Sequence, residues 1–205
     1  MQVFLETDRL VLRRFTTADV DNLVRLDADP DVMRYVNGGV PTSREEIENE
    51  FLPAFLGYYQ QYQEYGFWAA IEKSAGDFLG WFHFRPPDPA VPGQVELGYR
   101  LRKSAWGQGY ATEGSRALVR KGFTESRVQR VTAEAAAANT ASRRVMEKTG
   151  LTLVRTFYRP WPGMPGSHEI EVVEYELHRA DWRIHRHPPR RGLTGSPNHS
   201  ARKGS

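Results

Sequence analysis

The segment VELGYRLRKSAWGQGYATEGSRALV, Val95 to Val119, constrains this chain more than any other. Val95 to Leu101 alternate apolar and polar side chains, which is the period of a half-buried strand. Small and helix-favouring residues follow Gly109, so the two glycines turn the chain from a strand into a helix. Such a junction gathers backbone N–H groups at the positive end of a helix, and Gly107 and Gly109 carry no side chain to keep a phosphate away. A charge held there gains only about 0.3–1 kcal/mol per contact, so a real ligand needs other handholds. On these residues alone, a tight turn without a ligand is the plain alternative.

Two nucleotide motifs are tested directly by the same stretch. A dinucleotide fingerprint needs glycine where the chain has Thr112, and the NTPase loop needs Gly-Lys-Ser or Gly-Lys-Thr, which occurs nowhere. The sequence points away from dinucleotide cofactors and from ATP or GTP.

Further exclusions come from composition. The chain has no cysteine, so disulfides, thiolate metal sites and a cysteine nucleophile are excluded. His83, His168 and His178 lack metal-ligand spacing, and no metal is expected. No apolar run approaches the roughly 20 residues of a membrane span, and the start MQVFLETDRLVLRRF has no signal-peptide core; the expectation is a cytoplasmic protein away from membranes. The formal charge of +3 resides at one end. Six of the 28 Lys and Arg residues, and none of the 25 acids, lie from Arg183 onward, which leaves residues 1–182 with 22 basic against 25 acidic groups. We therefore read 1–182 as one domain and 183–205 as a basic, disordered tail, whose contact with nucleic acid would be weak and electrostatic.

Along the chain, DRLVLRRF (Asp8–Phe15) reads as a strand, and Thr16 with Asp19 opens a helix striped by Val20, Leu23, Val24 and Leu26. A short helix follows Asp29 and Pro30, and Ser43 with Glu46 forms a capping box. Pro53 should kink or split the next helix, whose Phe51, Phe55, Tyr58, Tyr59 and Tyr62 fall at helical spacing and read mostly as core. Phe67–Glu72 and Phe78–Phe84 read as a hairpin around Ser74–Asp77. The strand to Leu101, a helix to about Phe123, a strand from Arg130, a helix capped by Asn139 and ended by Gly150, and two strands LTLVRTFY and IEVVEYEL complete a layered α/β domain of about seven strands.

LETDRLVLRRFTTADVDNLVRLDADPDVMRYV, ELGYRLRKSAWGQGYATEG and NTASRRVMEKTGL, taken together in this order, resemble the GNAT superfamily of acetyl-CoA-dependent N-acetyltransferases, within it the RimJ/RimL-like branch. The likeness runs from about Leu5 to Leu177. It implies a mixed, mostly antiparallel sheet flanked by about four helices and splayed between the strand ending at Leu101 and the one starting at Arg130. Acetyl-CoA would lie in that split. Trp106, Gly107, Gln108, Gly109, Tyr110, Ala111 and Thr112 would wrap its diphosphate, the backbone of Tyr99, Leu101 and Arg102 would pair with the pantetheine arm, and Asn139 would hydrogen-bond that arm or serve only as a helix cap. Two positions depart from the family pattern. Ser104 stands where a Gln or Arg often precedes the first glycine, and Met146 stands where many members carry the tyrosine that acts as general acid; methionine has no proton to donate.

Acetyl transfer to an amine needs a base, an oxyanion donor and a proton for the departing thiolate. Glu96, on the strand leading to the bend, is the candidate base, with His83 ranked below it; a surface-facing acid is the plain reading of Glu96. A backbone N–H near Tyr99 to Leu101 is the oxyanion donor. The acid is then water or another side chain, and Ser142, one turn after Asn139 on the same helix face, is the nearest candidate. The expected acceptor is a primary amine, either a protein N-terminus or a small molecule, walled by the aromatic helix before Tyr65 and by the loop around Trp161. A homodimer is compatible with these features. A non-catalytic acyl-CoA sensor is the rival reading, motivated by the missing tyrosine.

Overall fold

A computed structural model describes residues 2–87, 90–161 and 168–186. Eight strands form one sheet in the order β1-β2-β3-β4-β5-β6-β8-β7. They are β1 (Val3–Glu6), β2 (Leu10–Arg14), β3 (Gly66–Glu72), β4 (Phe78–Arg85), β5 (Gln94–Leu101), β6 (Arg130–Ala136), β7 (Thr152–Pro160) and β8 (Glu169–His178). Every neighbouring pair is antiparallel except β5 with β6. Helices α1 (Val20–Asp27), α2 (Pro30–Asn37), α3 (Arg44–Glu46) and α4 (Leu52–Gln61) precede β3; α5 (Tyr110–Thr124) joins β5 to β6; α6 (Thr140–Thr149) joins β6 to β7; α7 (Arg179–Arg186) follows β8.

Strand alternation divides the core in two. On β4, Phe82 and Phe84 point toward a core shared with Leu118 and Phe123 of α5, whereas Trp81 points the other way, to Phe15, Leu23 and Leu26, Ile47 and Phe55. Each such fully buried Leu or Phe contributes about 1.5–3 kcal/mol. The sheet is thus covered on one face by α5 and α6 and on the other by α1 and α4.

Local chemistry explains most boundaries. The Ser43 hydroxyl accepts from the Glu46 amide at 3.1 Å while the Glu46 carboxylate accepts from the Ser43 amide at 2.9 Å, the expected box. Pro53 lies in the first turn of α4, and the break it imposes is a π-helical turn, Ile47–Phe51. That turn leaves Phe51 45 % exposed, so it is no core residue, while Phe55 stacks on Phe67 with ring centroids 3.9 Å apart. The Tyr59 hydroxyl accepts from the Phe15 amide at 3.0 Å and donates to the Phe67 carbonyl, stapling the end of β2 to β3; burial pushes this phenol up to about 12.

Two elements differ from the sequence reading. The expected first strand is the second arm of a hairpin, closed by Thr7, whose amide and hydroxyl both bond Leu10; the preceding arm, VFLE, is only four residues long and has too little alternation to read. The chain also enters a helix, α7, across the expected start of the tail, held by Trp182 against Phe123 at 5.4 Å between ring centroids. The remainder of the tail lies outside the described residues, as do 162–167 of the loop beyond Trp161.

Candidate active site

The parallel pair β5–β6 is short. It joins Gln94 to Arg130, Val95 to Val131 and Glu96 to Thr132, and then ends, although β5 continues to Leu101 and β6 to Ala136. The sheet therefore splays at Glu96. On its other edge β5 stays paired with β4 up to Leu101, and the Arg102 amide continues that ladder by donating to the Leu79 carbonyl at 2.8 Å. Main-chain groups alternate sides along a strand, so those of Tyr99 and Leu101 face the split. The Leu101 carbonyl accepts from the Trp106 indole at 2.7 Å, and the Arg102 side chain is drawn to Asp77 at 3.0 Å. The main chain of Tyr99 is left as the open rung of the edge.

The bend follows at once. Gly107 has φ 73° and Gly109 φ 84°, values that L side chains avoid, so both glycines are required by the backbone itself as well as by any ligand. Space beside Gly107 is open, and the nearest atom to a side chain at 109 would be Arg9 Nη2 at 3.5 Å. Beyond Gly109 the amides of Tyr110, Ala111 and Thr112 open α5, where a helix has no internal acceptor for them; the first return bond is from the Glu113 amide to the Gly109 carbonyl at 2.9 Å. The Gln108 side chain bonds back to the Ser104 carbonyl at 2.6 Å, away from those amides.

Asn139 caps α6: its Oδ1 accepts from the Ser142 amide at 3.1 Å, which leaves its NH2 group for another contact. Ser142 in turn meets Tyr99 across the split. The Tyr99 hydroxyl lies 3.0 Å from Ser142 Oγ and donates to the Ser142 carbonyl at 3.0 Å, and burial holds the phenol well above its ordinary range. Sequence spacing carries no sign of this pair, because Tyr99 and Ser142 sit on different elements. Met146 is buried in the core.

Glu96 is not joined to Ser142. It shares the opposite face of the sheet with His83 and Arg85, which are its neighbours on β4. Arg85 Nη2 holds Oε2 at 2.8 Å, and Oε1 faces His83 Nε2 at 3.7 Å. Burial raises the Glu96 carboxyl above its ordinary value and Glu134 adds to the rise, against the pull of Arg85 and Arg159. His83 is a buried imidazole pushed down to about 3, first by desolvation and then by Arg85 and Arg100. It stays neutral at any physiological pH, and its ring is packed against Gly98, where an added Cβ would come within 2.5 Å of it. That packing ranks it behind Glu96 as a base.

Sequence reasoning assigned no role to Arg9, although DRL was read as the start of a strand. From the β1–β2 turn its guanidinium reaches the bend, donating from Nε to Glu113 Oε2 at 2.7 Å and from Nη1 to the Gln108 carbonyl at 2.9 Å, with its charge 4.4 Å over the Tyr110 ring.

A splayed sheet whose free edge runs into a glycine bend over a helix start matches a known family. Residues 9–152 match the model of the acetyltransferase (GNAT) domain. The chain belongs to the GNAT acetyltransferase family. Among its relatives, FsC-acetyl coenzyme A-N(2)-transacetylase of Aspergillus fumigatus is 32% identical over 187 residues, covering 88% of this chain and 78% of that protein. The uncharacterized protein YkkB of Bacillus subtilis is 34% identical over 161 residues, covering 77% and 89%. Solved structures share the fold: a GNAT-family acetyltransferase from Bacillus anthracis superposes with TM-score 0.71 at 24% identity, over 88% of this chain and 99% of its own. RimL, a ribosomal L7/L12 alpha-N-protein acetyltransferase in complex with coenzyme A, superposes with TM-score 0.70 at 18% identity, over 86% and 98%.

GNAT acetyltransferases use acetyl-CoA, and the residues here fit it: an open strand edge for an amide-rich arm, then unpaired amides at a helix start for a diphosphate. Among the described residues no group of three or more His, Asp or Glu side chains could hold a metal ion, and no helix is long and apolar enough to cross a membrane. A separate cavity of 760 Å³, between α5 and Trp182 and lined by Arg116 and Arg120, contains none of the expected site residues.

Proposed function

We propose that this GNAT acetyltransferase transfers the acetyl group of acetyl-CoA to a primary amine, by direct attack with both substrates bound. The observation that carries the proposal is the splay of β5 from β6 beyond Glu96, which leaves Tyr99 facing an open split that ends over the start of α5. Acetyl-CoA supplies the activated thioester. The Tyr99 amide, facing the split, stabilises negative charge on the acetyl oxygen, and Glu96 takes the amine proton directly or through one water. The Ser142 hydroxyl donates a hydrogen bond to the departing sulfur. Trp106 to Thr112 hold the diphosphate and the NH2 of Asn139 the arm.

The acceptor is read as an amine nitrogen partly by kinship. The Aspergillus fumigatus relative, similar over most of this chain, is named for acetyl transfer to an N(2) position, and the RimL neighbour for acetylating a protein α-nitrogen. Either a peptide N-terminus or a small-molecule amine is compatible with Glu96 as the base, and the RimJ/RimL-like branch is part of the same proposal. The test is a thiol-release assay with acetyl-CoA against a panel of short peptides and small amines. One thiol released for each acetylated amine, on at least one acceptor, is the expected result; acetyl-CoA binding without acetylation of any amine in the panel would oppose it.

A further inference from the structure

The strand-to-helix bend contains an electrostatic conflict. Glu113 stands in the first turn of α5, where a carboxylate stabilises the helix but repels a diphosphate at the same amides. Within residues 103–112 the one cation, Lys103, is bound to Asp31 at 2.5 Å, and the neighbouring Arg102 is bound to Asp77 at 3.0 Å. Arg9 resolves the conflict from outside the segment. Its Nε and Nη2 lie 2.7 and 2.6 Å from Glu113 Oε2, and its own amide donates to Oε1 at 2.9 Å, an oxygen that also takes the Thr7 hydroxyl at 2.6 Å. These contacts outweigh the burial that would raise the Glu113 carboxyl and hold it below its ordinary range. Nη1 fixes the Gln108 carbonyl, between the two glycines, at 2.9 Å. A guanidinium has five N–H donors and these contacts use three, so one on each Nη remains. Nη2 is also the nearest atom to the side-chain direction of Gly109, at 3.5 Å.

We infer that Arg9 is a positioning residue for the donor's diphosphate: it cancels Glu113, clamps the bend in its binding shape and makes the site select donors that carry a diphosphate. The inference rests on the reading of the bend as the diphosphate cradle. Two flexible glycines in a surface bend sample many conformations, and one rigid fork tied to both Gln108 and Glu113 removes that freedom before a ligand arrives.

The test compares wild type, Arg9→Gln and Arg9→Lys. Calorimetry gives the Kd of coenzyme A, and steady-state kinetics give kcat/KM for acetyl-CoA and for S-acetylpantetheine, a donor with the same arm and no diphosphate. In Arg9→Gln the Kd of coenzyme A should rise about tenfold or more, and the preference for acetyl-CoA over S-acetylpantetheine should fall by a similar factor. Arg9→Lys keeps the charge without the fork, so it should recover part of the preference, and thermal unfolding checks that both variants are folded. Wild-type affinity for coenzyme A in Arg9→Gln, or equal losses with both donors, would overturn the inference while leaving the cradle intact. If wild type itself did not distinguish acetyl-CoA from S-acetylpantetheine, the cradle reading would fail and the role of Arg9 with it. Should Arg9→Gln not fold, Arg9→Lys decides alone: a severalfold drop in the donor preference supports the inference, and an unchanged preference rejects it.

Discussion

In the proposed reaction, Tyr99 and Ser142 take the place of the tyrosine that many family members carry where this chain has Met146. The Tyr99 phenol is buried and held above its usual range, so it keeps its proton, donates a hydrogen bond to the Ser142 carbonyl and so fixes the first turn of α6, which places Ser142 Oγ 3.0 Å from the phenol oxygen. Its effect should therefore pass through Ser142. Ser142→Ala is expected to lower kcat about tenfold to a hundredfold, the scale of one charge-assisted hydrogen bond, and Tyr99→Phe about tenfold. The double variant should be no slower than Ser142→Ala alone; independent, multiplying effects would separate the two residues. Glu96 gives a pH signature instead. A base works only when ionised, and burial raises this carboxyl, so the acid limb of the kcat/KM profile should lie above the ordinary glutamate value of 4.5. Glu96→Gln should lower kcat by about 10²–10⁴ and abolish that limb, with coenzyme A binding kept. An unaltered limb in this variant would assign the titration to another group.

At the scale of elements, the turn between β2 and α1 depends on one buried carboxylate. Asp19 accepts from Arg13 at 2.6 and 2.8 Å, from the Thr16 amide at 2.9 Å and from Asn22 at 3.0 Å. Burial alone would raise its pKa, but these donors outweigh it and hold the group below its ordinary 3.8. A depressed carboxyl stabilises the fold at pH above 3.8 and loses that contribution as the pH falls through the lower, folded value. Asp19→Asn should thus cost about 3 kcal/mol at neutral pH, since it strands Arg13, and the gap to wild type in denaturant titrations should close in strong acid. A gap independent of pH would mean that the contribution is packing. Thr16 with Asp19 was legible as a helix start because caps are local chemistry. The same holds for the Ser43–Glu46 box, the hairpin of β3 and β4, and the glycine bend. The hairpin arm VFLE and helix α7 were not legible, since each depends on a distant neighbour: β2 for the first, Phe123 for the second.

Across the whole molecule, the strand, bend and helix from Tyr99 to Thr112, proposed to hold the cofactor, could be read because they follow one another in the chain, and Asn139 could be placed by its cap. The contacts that unite the site could not. Arg9 reaches Glu113 because α5 packs back across the sheet as far as β2, and Tyr99 reaches Ser142 across the split beside β5. Coenzyme A has a rival location in the molecule, the cavity between α5 and Trp182. Hydrogen–deuterium exchange with and without saturating coenzyme A distinguishes the two. The expected result is slowed exchange at Tyr99 and across Gly107 to Thr112, with the amides around Arg116, Arg120 and Trp182 unchanged. Protection confined to that cavity, with the split between β5 and β6 exchanging as in the free protein, would contradict the site described here.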